Sequence, residues 1–568
     1  MTLPAARVYP SLKISIVILI GVWALLIWVV NPVGEFMIND DWSFIRALEN
    51  LVFNGKMEST GWGPVGAPAG PALIAHLGWG RLFTYLFGHS VTTLRLSVIT
   101  MGILGSLVLL ELLRLSGASA WTSLWGVLTL VSCPLFLLFC FSFMTDATFV
   151  SLAVFSVLLL HSGVEGKRYS LVAGGLLAAL ASILTRQIGV VLPVGFALAC
   201  LMHPRGRELG RAKMLAMTFG MAVIPWLVYE YTLGAIGSTP ITEHQVVQSV
   251  AVRFNGQTLL DFLGLVGRRL LFALGYFALF VSPVVALRYR EFLQYRPFRY
   301  FCAALAGGLA VFETLLVLGI LDPPIYLWRN TITDFGLGPT ALKDTYVLGI
   351  KRTISMPTTL YYALVGWAAL SLAGCFILTI SSFTRMVRLL RTGNASEISF
   401  LTVFTLASGW MYLGLICICG FHDRYLLPLI MMGIVWIVCD APRPEEPFFR
   451  PGKVALAGIP LVAIAVFTVS SLHDFIALKR SQSMALNYLL QERRVDPCSI
   501  DGGFEFNGYH CYSQSFRARP GLSWWWVDRE NFVLTLGPLP GYRVVRTYPF
   551  NRYIGEDGAI HVLEPAQR

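Results

Sequence analysis

The chain has 568 residues, 56% of them hydrophobic and only 13% charged, with a mean hydropathy of +0.66. Soluble domains carry about a quarter charged residues, so this balance excludes an ordinary cytosolic protein. The net charge of +11 implies no nucleic-acid partner, because the basic residues cluster in short loops between alternate pairs of apolar runs, as topology-setting charges do.

The first apolar run, about residues 13–30, has Asn31 and Pro32 after it and no small-residue cleavage site. It reads as a retained span. Apolar length and loop charge together predict about 13 helical spans. They fall near 12–31, 92–114, 120–140, 147–162, 170–185, 188–202, 213–232, 266–287, 300–321, 359–382, 399–420, 424–440 and 454–472. The basic clusters are Lys167 with Arg168, Arg205 to Lys213, Arg288 to Arg299, Arg385 to Arg391, and Arg443 to Lys453. They put one set of loops in the cytoplasm, and an odd number of spans then puts the C-terminus outside.

The expected architecture is an all-α polytopic membrane protein, residues 1–472, with a small exocytoplasmic α/β domain at 473–568. The first outer loop, 32–91, is rich in apolar and aromatic residues and predicts interfacial helices. Further outer loops fall at 233–265 and 322–358. The C-terminal stretch has Gly/Pro turns and β-like runs such as YRVVRTY. Eight of the ten cysteines lie in apolar runs and read as small hydrophobes. Cys498 and Cys511 lie in the polar C-terminal stretch, where an exocytoplasmic location favours a disulfide between them.

The polar residues with chemical potential fall on one predicted face. Asp40 and Asp41 follow the first span in NDDW, and Asp146 sits at an outer junction in FMTDATF. Arg186 does so in LTRQIG, and His422, Asp423 and Arg424 in FHDRYLLPL. Each has a bland reading. Asp146 at a helix start is as readily a cap, Arg186 a snorkelling residue, Asp423 and Arg424 a self-neutralising pair, and the acid pair solvated loop carboxylates. Independent capping would not favour one face, however. A carboxylate that deprotonates an acceptor hydroxyl, with arginines that hold a departing lipid phosphate, accounts for the set together.

The order NDDW, LFGHSVTTLRLSVITMGILGSLVLL, FMTDATFVSLAVF, LTRQIGVVLP and late DRYLLPL resembles the C-superfamily glycosyltransferases. In particular it is similar to bacterial relatives of protein O-mannosyltransferases and lipid A aminoarabinose transferases. That resemblance implies an inverting transfer from a polyprenyl-phosphate-linked sugar to an envelope lipid, glycan or protein acceptor at the outer face of the plasma membrane. It implies a catalytic acid at Asp40 or Asp41, a second acidic position at Asp146, and donor-phosphate contacts at Arg186 and Arg424. Asp41 stands where relatives commonly have Glu, and GPVGAPAGP stands in place of a proline-rich element. Which aspartate is the base stays open. No metal ligand set is assigned: a divalent metal is compatible with Glu58, His76, Glu243, His244 or His422, but no pair has decisive spacing. The Asn394-Ala395-Ser396 sequon falls in a cytoplasmic loop. SWWWVD reads as core or membrane-facing surface of the terminal domain. The main rival function is a transporter or flippase for a lipid-linked or anionic solute, which would place its ionisable groups near mid-membrane. A second is a non-catalytic envelope assembly protein.

Overall fold

The structure, a computed structural model, describes residues 10–53, 74–235, 258–293 and 331–566, apart from 334, 353, 393–397, 441–450 and 514. Among these, eight helices are long and apolar enough to cross a membrane, and a bent pair makes a ninth. Tyr169–Ile183 and Gln187–Met202 are shorter apolar helices. The span expected at 300–321 lies outside the described residues, as do Glu58, Glu243, His244 and the sequon.

Helix α1 (Pro10–Val30) is followed by two short helices of the first loop, α2 (Asp41–Phe53) and α3 (Ile74–Phe87). α3 leaves Leu82, Tyr85, Leu86 and Phe87 exposed, as an interfacial helix does. α4 (Val91–Leu115) returns across the bundle. The run read as one span at 120–140 is instead α5 (Ala120–Val131) and α6 (Pro134–Cys140), bent by 71°. Pro134 explains the break. It lacks an N–H and forces Cys133 before it into extended backbone, ψ 124°. α7 (Thr145–Glu165) and α8 (Tyr169–Ile183) form a tight antiparallel pair, followed by α9 (Val191–Met202).

The two ends of the bundle differ in chemistry. At the C-terminal end of α7, Glu165 pairs with Arg205, and Lys167 pairs with Glu208 at 2.9 Å. Arg385 pairs with Asp440, and Arg288 donates to the carbonyl of Ile437. These are the basic clusters that the sequence assigns to the cytoplasm. Asp146 lies at the other end of α7, roughly 28 Å away at 1.5 Å per residue.

The last long helix, Pro451–Asn487, runs without a break through position 473, where the sequence suggests a domain boundary. Its C-terminal part carries a four-stranded sheet in the order β1 (Ile500–Asp501), β2 (Phe532–Thr535), β4 (Gly558–Pro565), β3 (Tyr542–Phe550). The β1/β2 pair is parallel and the others antiparallel. Leu478, Leu486 and Leu489 of the helix side pack with Ile500, Leu534, Ile560 and Val562 of the sheet. Residues 340–352, read from sequence as a separate outer loop, belong to this same body. Lys343 pairs with Glu530, and Asp344 accepts from the amide of Leu536 at 3.0 Å. Cys498 and Cys511 form a disulfide with Cα atoms 5.6 Å apart.

The close approach of α7 and α8 depends on glycine. A Cβ at Gly175 would stand 2.7 Å from Cγ and 2.8 Å from the amide nitrogen of Leu160. At neighbouring Gly174 it would meet only a Leu159 methyl at 3.6 Å. Gly175→Val therefore destabilises by about 1–3 kcal/mol through forced backbone separation, while Gly174→Val leaves the helix pair in place. Thermal melting of both variants in lipid nanodiscs checks this, with a lower midpoint expected for the first alone.

Candidate active site

The chain leaves α1 at Asn31 and enters α2 at Asp41 through ten residues without helix or strand structure. Asn31 (φ 51°) and Asn39 (φ 57°) take the left-handed conformation, which asparagine tolerates better than most side chains. A non-helical segment in a membrane protein needs partners for its backbone. Arg95 of α4 supplies three of them. It is fully buried and donates to the carbonyls of Pro32, Gly34 (3.2 Å) and Phe36 (2.7 Å), with its guanidinium 4.1 Å from the Phe36 ring centroid. Thr92 accepts from the Gly34 amide at 3.0 Å. Glu35 reaches back to the first amides of α4, Val91 at 2.8 Å and Thr92 at 3.2 Å, where orphan donors and the helix dipole favour a carboxylate.

The two adjacent aspartates face different ways. Asp41 has 0% exposure and accepts from the amides of Ile38 (2.7 Å) and Phe143 (3.3 Å), so it ties the loop to the turn before α7. Burial pushes its carboxyl up to about 8, against the pull of those amides and Arg95. Asp40 keeps 17% of its side chain exposed and forms an ion pair with Arg424 at 2.9 Å.

Arg424 comes from a 3-10 turn, Asp423–Leu426, between the helices Phe400–Cys419 and Leu427–Cys439. Asp423 does not neutralise it. Its carboxylate is buried and accepts from the backbone amides of Thr331 (2.8 Å), Ile332 (3.1 Å) and Arg424 itself (2.7 Å). The guanidinium is thereby left to Asp40. Asp146 is not the cap of α7. That position is Met144, which makes no side-chain cap bond, and Asp146 in the first turn pairs with Arg186. Tyr425 joins the two ion pairs, with its ring centroid 4.9 Å from the Arg186 guanidinium carbon and 5.6 Å from that of Arg424. Asp40, Asp146, Arg186 and Arg424, separated by up to 384 positions in sequence, thus meet around one aromatic ring. Among the described residues, Asp146 Oδ2 and Arg424 Nε are buried with no hydrogen-bond partner.

His76 is buried beside this group. It stacks against Phe143 at 4.3 Å and bonds to Thr148 Oγ1 (3.1 Å) and the Phe143 carbonyl (3.3 Å). Burial pulls its imidazole down to about 4, so it is neutral at physiological pH. Among the described residues, no group of three His, Cys, Asp or Glu side chains is arranged to hold a metal ion.

The sequence reading missed several members. Arg95 had a signal, since an arginine inside an apolar helix asks for a buried partner. Tyr425 sits within DRYLLPL without a pattern of its own. Trp42 was passed over, yet it packs against Phe504, Tyr512 and Trp526 of the C-terminal body, with centroids 5.6–6.1 Å apart. Of the SWWWVD tryptophans, Trp525 and Trp526 are buried there and Trp524 is exposed.

Residues 71–229 match the model of the family described as dolichyl-phosphate-mannose-protein mannosyltransferase. That stretch carries Asp146 and Arg186. Two crystal structures of ArnT from Cupriavidus metallidurans are similar in part. The apo form shares 17% identity over 86% of this chain and 83% of that one, with a TM-score of 0.35. The form bound to undecaprenyl phosphate shares 14% identity over 86% of this chain and 84% of that one, also with a TM-score of 0.35. No curated protein matches the chain.

The raised Asp41 carboxyl sets a stability profile. A buried acid that keeps its proton to about pH 8, against an ordinary value of 3.8, adds stability that is full below about pH 4 and lost as pH rises towards 8. Asp41→Asn, isosteric with the protonated form, has no such titration. The melting midpoint of the wild type relative to Asp41→Asn should therefore fall between pH 4 and 8 and level off above, as measured by nanodisc melting across that range.

Proposed function

We propose that this protein is an integral-membrane, inverting glycosyltransferase that moves a sugar from a lipid-phosphate carrier to an acceptor at the outer face of the membrane. The observation that carries this reading is the pairing of the accessible Asp40 with Arg424, beside Asp146 and Arg186, at the end of the bundle away from the basic clusters. The family match over residues 71–229 supports the reaction class and a polyprenyl-phosphate-type donor. An apolar groove lined by Phe277, Phe376, Trp410, Leu429 and Trp436 suits a hydrocarbon tail.

In this reading Asp40 is the general base. It takes the proton of an acceptor hydroxyl whose oxygen attacks the anomeric carbon. The bond between that carbon and the phosphate oxygen breaks, and the lipid phosphate leaves with the electron pair. Arg186 and Arg424 stabilise the departing phosphate. Each arginine is paired with an aspartate, so the donor phosphate takes over part of that pairing, and the buried Arg424 Nε gains an acceptor. Releasing Arg424 to the phosphate also frees the Asp40 carboxylate for the acceptor. A single displacement with one base inverts the anomeric centre. Asp41 serves the fold of the loop and not the chemistry. The transferred group is a hexosyl or pentosyl unit, and the acceptor an envelope lipid, glycan or protein.

Purified protein in nanodiscs, given a panel of undecaprenyl-phosphate-linked sugars with cell-envelope acceptors, tests the reading through radiolabel transfer. Asp40→Asn should lower turnover by about 100-fold or more, while Asp41→Asn retains most of it. Transfer that survives Asp40→Asn unchanged would overturn the assignment.

A further inference from the structure

The residue before Asp40 is gripped from outside the membrane bundle. The amide of Asn39, in its left-handed conformation, donates to Glu505 Oε1 at 3.2 Å. The same oxygen accepts from Lys479 Nζ at 2.7 Å. Both side chains of the pair are 3% exposed. Glu505 lies in the helix Phe504–Cys511 of the C-terminal body, and Lys479 in the outer part of the long helix Pro451–Asn487. Two further residues of that long helix hold the same loop. Arg480 donates to the carbonyl of Asn31 at 2.8 Å and Ser483 to that of Glu35 at 2.9 Å.

Around this contact the C-terminal body closes on α2 at three more places. Trp42 is fully buried among Phe504, Tyr512 and Trp526. Arg46 donates to the carbonyl of Gly508 at 3.3 Å, and Tyr509 donates to Glu49 at 2.8 Å. Most of these contacts fix the helix after the aspartates. Of these contacts from the C-terminal body, the Asn39 bond is the one made to the residue just before Asp40.

We infer that Glu505, oriented by Lys479, is a positioning residue for glycosyl transfer: it fixes the Asn39 amide and so aims the Asp40 carboxylate at the donor and acceptor. The inference rests on the reading of Asp40 as base. It gives the C-terminal body a part in the chemistry without placing any of its side chains on the substrate. The carboxylate is suited to the task because it is itself held by a buried ammonium and accepts a charge-assisted bond from the amide.

Removing one charge of a buried pair strands the other, so the test uses two double variants of equal charge. Lys479→Met with Glu505→Gln keeps an acceptor for the Asn39 amide. Lys479→Met with Glu505→Leu removes it. Hydrogen–deuterium exchange of the peptide around Asn39, in nanodiscs, should quicken by about tenfold in the Leu variant, the equivalent of one lost hydrogen bond, and stay near wild type in the Gln variant. With a donor that the wild type turns over, the Leu variant should lose about 10- to 100-fold in kcat with the donor KM unchanged, and the Gln variant should keep its kcat. Unchanged exchange at Asn39 in the Leu variant, or two variants that behave alike, would overturn the inference. Quickened exchange with an unchanged kcat would overturn it too. Asp40→Asn run in parallel separates the cases. If that variant turns over as wild type, the transfer reading fails, and the exchange arm still decides the grip on Asn39.

Discussion

One guanidinium makes the rest of the site possible. A chain that emerges from a membrane helix and must not yet form another leaves bare carbonyls, and such groups are costly away from water. Arg95, with no solvent exposure, takes three of them at once. Lysine offers its donors from one point and cannot span the same arc. With the carbonyls of Pro32, Gly34 and Phe36 settled, the loop has one course, and Asp41 can bind the Ile38 amide below it. The pair of acids that stands out in the sequence is thereby divided, one side chain inward to hold the turn and one outward to meet Arg424.

The four charges beyond that loop follow a common logic. Each acid is brought to an arginine by a different pair of segments: the loop with the Asp423–Leu426 turn, and α7 with the end of α8. The set has no net charge, and its pairing offsets part of the cost of holding four ions near the bilayer. Tyr425 keeps the two pairs in contact. In the proposed mechanism a phosphate competes for arginines already oriented by carboxylates, and its binding and the release of Asp40 are two sides of one exchange.

Much of this was legible in the sequence, and the reasons are physical. Hydrocarbon thickness sets span length, and loop cations mark one end of the bundle, so the sequence suggests that Asp146, Arg186 and Arg424 lie at the other end. The kink at Pro134 was written in the chain but lost inside a long apolar run. Partner choice was not legible. DR in FHDRYLLPL looks like a local pair, and only the folded chain shows that Asp423 is spent on the amides of Thr331 and Ile332. The grip of Glu505 on Asn39 spans 466 positions and leaves no periodicity or motif. Hydropathy falls near 473, where the sequence suggests a boundary, while helical hydrogen bonding continues to Asn487.

That uninterrupted helix, Pro451–Asn487, is about 55 Å long at 1.5 Å per residue. It passes from the end of the bundle that carries the basic clusters to the sheet on the opposite side, and it behaves as a ruler laid across the bilayer. Lys479, Arg480 and Ser483 near its far end all hold the loop that carries Asp40. A change in lipid thickness is met by tilting of such a rod, and a given tilt moves its far end in proportion to its length. The loop that carries Asp40 is thus fastened to a helix that crosses the whole bundle, and the lipid that sets the tilt of that helix belongs to the surroundings of the loop.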